Sequence, residues 1–164
     1  MSEQTPNKHT PSPQPGEPAP DFRGETPDGE TLSLVDFRGR TLVLYFYPRD
    51  NTPGCTTEAR DFQDRLADFE ARGASVVGVS NDDADSHRRF VEKQGLTFPL
   101  IADTDRSVSR AFDVMRMKNM FGRRFEGIQR STFLVDGEGI VREAWRKVKV
   151  PGHVDAVIEA IDSL

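Results

Sequence analysis

The chain is poor in the residues that most often announce chemistry: its 164 residues include one cysteine, one tryptophan and three histidines. A single cysteine cannot close an internal disulfide, so the fold owes nothing to oxidising conditions and a reducing, cytoplasmic location is expected. The histidines, His9, His87 and His153, are scattered without the spacing of metal ligands, and neither a metal nor another cofactor is expected. No apolar run exceeds Leu42 to Tyr47, far too short to cross a bilayer. Excess positive charge is also missing. The formal net charge of -5 argues against nucleic acid or an anionic membrane as partner, which leaves small molecules and other proteins.

Residues 1–20 hold six of the eleven prolines, with Met1 and Ala19 as their only apolar members. That composition has no apolar centre for a signal peptide and too little to bury. It predicts a disordered tail over residues 1–17, followed by one domain over 18–164.

Beyond Pro20, short apolar runs alternate with amphipathic ones. Residues 41–47, 74–80, 98–103, 131–136 and 139–148 read as strands, and the first two carry so few polar positions that they belong in the sheet centre, covered on both faces. Cys55, Ala59, Phe62, Leu66 and Phe69 form one apolar stripe of a helix over 54–72, which Gly73 stops. Further helices are expected at 84–94, 105–112 and 152–163, and the DGEG of 136–139 reads as a hairpin turn. This order predicts an α/β, thioredoxin-like fold with a central mixed sheet flanked by helices.

The lone cysteine stands at the junction of the first strand and first helix, in YPRDNTPGCTTEARDF (47–62). Thr52 reads as the helix N-cap, Pro53 as the first helical residue and Cys55 as the third. Two readings are open there. Cys55 is either a small buried hydrophobe, or a thiolate favoured by backbone N–H groups at the positive end of the helix, with Gly54 letting a reactant approach the backbone. A dithiol oxidoreductase would carry a second cysteine where Thr52 stands, so exchange within one motif is excluded.

The 47–62 segment resembles the Pro-x-x-x-Thr-x-x-Cys signature of peroxiredoxins, and FGRRFEGIQRSTFLVDGEG (121–139) resembles the segment that supplies their arginine. The likeness is strongest to the bacterioferritin comigratory protein, or Q, subgroup. It implies a thiol-dependent peroxidase for hydrogen peroxide and organic hydroperoxides, with Cys55 as the peroxidatic cysteine and Thr52 hydrogen-bonded to sulfur and peroxide. Pro48 would shield the site from water, Arg130 would stabilise the thiolate and polarise the peroxide, and Glu58 would hold Arg130. Gly54, Cys55, Thr52 and Arg130 would together bind the substrate.

Many members of the subgroup carry a resolving cysteine five residues after the first, where this chain has Arg60. The resemblance therefore implies a one-cysteine variant reduced by an external thiol: thioredoxin, glutaredoxin or a low-molecular-weight thiol. A monomer is expected, with a weak homodimer as the alternative. A peroxide sensor that passes its oxidation to a partner, and an unreactive binding module, are the competing functions. The basic stretch 115–130 reads as a solvated loop beside the site, in which Met115, Met117, Met120 and Phe121 form an apolar rim.

Overall fold

A computed structural model describes residues 10–164. Residues 1–9 of the expected tail lie outside the described residues. Strands β1 (Arg23–Glu25) and β2 (Thr31–Ser33) form a small hairpin, and a 3-10 turn at Leu34–Phe37 leads into β3 (Thr41–Phe46). Helices α1 (Pro53–Asp64) and α2 (Leu66–Ala71) follow, then β4 (Ala74–Ser80), α3 (Ala84–Gln94), β5 (Leu100–Ala102) and the short α4 (Ser107–Ala111). Strands β6 (Met115–Met120) and β7 (Arg123–Ile128) make a second hairpin before β8 (Ser131–Val135), β9 (Val141–Arg146) and α5 (His153–Asp162).

The five-stranded central sheet has the order β5-β4-β3-β8-β9. β3 pairs in parallel with β4 and antiparallel with β8, so the sheet is mixed and β3 lies at its centre. Leu42 to Phe46 are all buried, as the lack of polar positions requires of a strand covered on both faces. Their side chains alternate between two cores. Val43 and Tyr45 join Phe62, Phe69, Phe90 and Val157 on one face, while Leu42, Leu44 and Phe46 join Phe112, Val114 and Phe133 on the other. Cys55 belongs to the first core, so the helix that carries it is held to the sheet by its own apolar stripe.

The structure corrects three local expectations. The helix expected over 54–72 breaks at Arg65, whose backbone turns to φ -107 and ψ 11. The break separates α1 from α2 while leaving the Phe62 and Phe69 rings 5.7 Å apart in one core.

The basic stretch is a hairpin rather than a loop. Phe121 and Gly122 take φ of 53° and 77°, the paired left-handed turn that matches strand twist. Their strands project outward instead of joining the core sheet, so Met117, Met120 and Phe121 are exposed.

Residues 10–17, expected to be disordered, are docked. Gly16 N–H donates to Val141 O at 2.7 Å, Val141 N–H donates to Glu17 O at 2.9 Å, and Ala19 N–H donates to Gly139 O at 2.8 Å. The start of β9 offers unpaired edge groups, which a proline-rich strand can satisfy from one side without needing an N–H at every residue.

Candidate active site

Thr52 caps α1 with an extended backbone (φ -86, ψ 154), and its carbonyl accepts the Thr56 N–H at 2.8 Å. Pro53 fills the first helical position, where a missing N–H costs nothing. Cys55 therefore starts the buried stripe at the end of the central strand, and only 1% of its surface is exposed.

Arg130 immediately precedes β8, the strand beside β3, which brings it to Cys55 across 75 residues of sequence. Its Nη2 donates to Cys55 Sγ at 3.5 Å while Nη1 donates to Glu58 Oε1 at 2.7 Å. Glu58 lies one turn after Cys55 on α1 and its side chain is wholly buried. Burial pushes its carboxyl up to about 7 against the pull of Arg130. Burial alone would lower the Arg130 value, but Glu58 and Cys55 outweigh it and keep the guanidinium charged.

Gly54 has a physical reason to lack a side chain: a Cβ there would lie 3.1 Å from Arg130 Nη2. Pro48 is half-buried two residues after β3. The Thr52 hydroxyl donates to the Arg49 carbonyl at 2.9 Å. Its single proton is thus committed to the backbone, and what it offers a ligand is its lone pairs.

Other groups at this end of the sheet were not evident from spacing. Lys118, on β6, donates to the Ile128 carbonyl at 2.5 Å, two residues before Arg130. Burial and Arg130 lower its value, with the Cys55 charge acting the other way. His153 contacts Thr132 Oγ1 through Nε2 at 2.8 Å, and burial together with Arg130 pushes its value down to about 4. It is neutral at neutral pH. Tyr45 projects from β3 into the core that holds Cys55, and burial, then Glu58 and Cys55, raise its phenol well above the ordinary range. The Tyr45 hydroxyl and Glu58 Oε2 are buried without a hydrogen-bond partner among the described residues. Of these two, Glu58 is named by the resemblance, and Tyr45 shows in the sequence only as part of an apolar run.

The structure also gathers Asp50, Asp82 and His87, whose ligand atoms lie within 4.8 Å of one another. Histidine spacing gave no hint of this. Asp50 Oδ2 and Asp82 Oδ2 accept hydroxyl hydrogen bonds from Ser86 and Ser80, and both nitrogens of His87 contact protein oxygens.

The chain is similar to known proteins along most of its length. The AhpC/TSA family pattern matches residues 15–144. Peroxiredoxin Bcp of Xanthomonas campestris is 53% identical over 133 residues, covering 81% of this chain and 83% of that protein. Peroxiredoxin Bcp of Bacillus subtilis is 45% identical over 149 residues, 91% of this chain and 95% of the other. A solved structure of the Xanthomonas campestris bacterioferritin comigratory protein, studied for alkyl peroxide reduction, superposes with a TM-score of 0.82 at 48% identity, covering 87% of this chain and 90% of that one. The chain belongs to the AhpC/TSA family, and within it to the peroxiredoxins of the bacterioferritin comigratory, or Q, subgroup, of which it is a one-cysteine member. It is a thiol-dependent peroxidase. No helix among the described residues is long and apolar enough to cross a membrane.

Proposed function

We propose that Cys55 reduces hydrogen peroxide and alkyl hydroperoxides through a sulfenic acid and is regenerated by an external thiol. The observation that carries this reading is the contact of Arg130 Nη2 with Cys55 Sγ at 3.5 Å, with Glu58 gripping the other arm of the same guanidinium. Arginine suits the position because its planar fork serves two acceptors at once and stays charged.

In the first step the Cys55 thiolate attacks one peroxide oxygen, the O–O bond breaks, and the departing oxygen takes a proton to leave as water or an alcohol. For thiols in general, a lower pKa adds only modest net rate, since along a Brønsted slope of ~0.4–0.5 a less basic sulfur is a weaker nucleophile. The main contribution is stabilisation of charge moving from sulfur to the departing oxygen by Arg130 and by the N–H groups at the start of α1. Thr52, its own proton on Arg49, accepts the O–H of the bound peroxide and aims it. Pro48 keeps water from the sulfur.

In the second step an external thiol attacks the sulfenic sulfur, releasing water and leaving a mixed disulfide. A second thiol then frees Cys55 and leaves as a disulfide. With one cysteine in the chain, both thiols come from outside, from thioredoxin, glutaredoxin or a small thiol in a reducing cytoplasm. A monomer suffices for this cycle.

The test is stopped-flow peroxide reduction by the reduced protein and by Cys55→Ser, followed by a screen of thiol donors. Turnover with a donor and none in Cys55→Ser is expected. Retained peroxide reduction in Cys55→Ser would overturn the assignment; reaction limited to one turnover with every donor would favour a sensor.

A further inference from the structure

From the position of Asp50 between β3 and α1, we infer that Asp50 is a positioning residue for peroxide reduction, pinning the turn that carries Pro48, Thr52 and Cys55 to α3 and β5 through a buried contact with His87. The inference rests on the proposed role of Cys55.

Between Tyr47 and Cys55 the chain runs through seven residues, of which Pro48, Thr52 and Gly54 are half-buried and Arg49, Asn51 and Pro53 exposed. Asp50 is the one buried residue among them, with 1% of its side chain exposed. It is also the best-tied. Tyr47 Oη donates to its Oδ1 at 2.6 Å and Ser86 Oγ to its Oδ2 at 2.8 Å. His87 Nδ1 lies 2.7 Å from the same Oδ2, and the Asp50 backbone N–H donates to Asp82 Oδ2 at 2.8 Å. The residue that follows, Asn51, takes a left-handed φ of 63°, so the backbone reverses on this anchor before entering the cap at Thr52.

The far end of the anchor is rigid. His87 is wholly buried, and its Nε2 lies 3.0 Å from the carbonyl of Ile101 on β5. A carbonyl can only accept, which fixes a proton on Nε2, and one further proton lies between Nδ1 and Asp50. Burying a carboxylate and an imidazole together is no efficient route to stability, because apolar side chains of the same volume do as well or better. What the pair supplies is a fixed distance: the turn is held to one helix and one strand of the scaffold, and displacements on the scale of an ångström at a reacting atom cost rate.

The discriminating substitutions are Asp50→Asn and Asp50→Ala. An asparagine amide keeps the carbonyl acceptor for Tyr47 and turns an NH2 toward Ser86 and His87, whose Nδ1 then accepts. The connection persists. Alanine severs it. Oxidation of Cys55 by hydrogen peroxide, followed by intact mass and expressed per folded molecule, is expected to slow at least tenfold in Asp50→Ala and to stay within about threefold of wild type in Asp50→Asn. Amide hydrogen exchange over residues 51–56 should accelerate in Asp50→Ala and not in Asp50→Asn, a readout that survives even if wild type reduces no peroxide.

Unchanged exchange, an unchanged rate in folded Asp50→Ala, or an Asp50→Asn as slow as Asp50→Ala would each overturn the inference. Should Asp50→Ala not fold, Tyr47→Phe removes one tie and keeps the ring. It is expected to slow oxidation about threefold with faster exchange over the same residues, and a wild-type rate there would overturn the inference equally.

Discussion

Arg130 and Glu58 form a largely buried ion pair in which the carboxylate claims one arm of the guanidinium and leaves the other, 3.5 Å from the sulfur, for Cys55. Removing either partner strands the other in a poorly solvated place, so charge and geometry at this pair are separable only by conservative substitutions.

Arg130→Lys keeps the charge and loses the fork. An ammonium is a single point that cannot hold Glu58 at 2.7 Å and also reach the sulfur. The second-order rate with hydrogen peroxide is expected to fall at least tenfold, about 1.4 kcal/mol, with the fold retained by circular dichroism. A rate within about twofold would place Arg130 outside the transition-state contacts.

Gly54→Ala should separate stability from activity. Alanine is the better helix former by up to ~1 kcal/mol, so thermal stability is expected to hold or rise. Its Cβ, however, would meet Arg130 Nη2 at 3.1 Å and move the guanidinium by a few tenths of an ångström. A severalfold loss of peroxide rate at unchanged or higher Tm is the expected result.

Glu58 should make stability depend on pH in an unusual direction. Its folded value of about 7 lies above the ordinary 4.5, so the native state holds the proton more tightly than the unfolded chain. That contribution is full below about 4.5 and is lost as pH rises through about 7, by ~3 kcal/mol at most. His153, lowered to about 4, has the opposite sign: its neutral native form gains stability as pH rises from 4 to 6.5. Urea unfolding of wild type and Glu58→Gln at matched pH cancels the histidine, and the stability of wild type relative to Glu58→Gln is expected to fall between pH 4.5 and 7.

Without a second cysteine, the oxidised sulfur has no internal partner. One equivalent of peroxide should leave a persistent sulfenic acid, seen as one added oxygen by intact mass, and excess peroxide should add a second. A product that is mainly a disulfide between two Cys55 residues would mean that two chains resolve each other.

What the sequence disclosed depended on how local each feature is. β3, the cap at Thr52 and the stripe from Cys55 to Phe69 are written in neighbouring residues, so strand, turn and helix were all legible. Arg130 was legible only by likeness to a known motif, because 75 residues separate it from the sulfur and only the pairing of β3 with β8 joins them. Asp50 and His87 had no such signal. Each looks like an ordinary turn or helix residue until α3 packs against the end of β3. The β6–β7 hairpin reads as a loop because its strands are dense in charged residues, and the Met-Arg-Met-Lys alternation of 115–118 is short and lacks the β-branched and aromatic residues that mark a strand. The TPDG turn after β1 was a recognisable signal that short, polar flanking strands obscured.

The docked segment around Gly16 and Glu17 changes how the start of this protein should be handled at the bench. It reads as a disordered tail, yet it occupies the main-chain N–H and carbonyl of Val141, which would otherwise face solvent at the sheet margin. A shortened version beginning at Pro18 would expose that margin to any passing extended peptide, including those of its own siblings, and would age toward oligomers in storage. An affinity handle or fluorescent label is better attached beside the exposed Leu164 than in place of these residues.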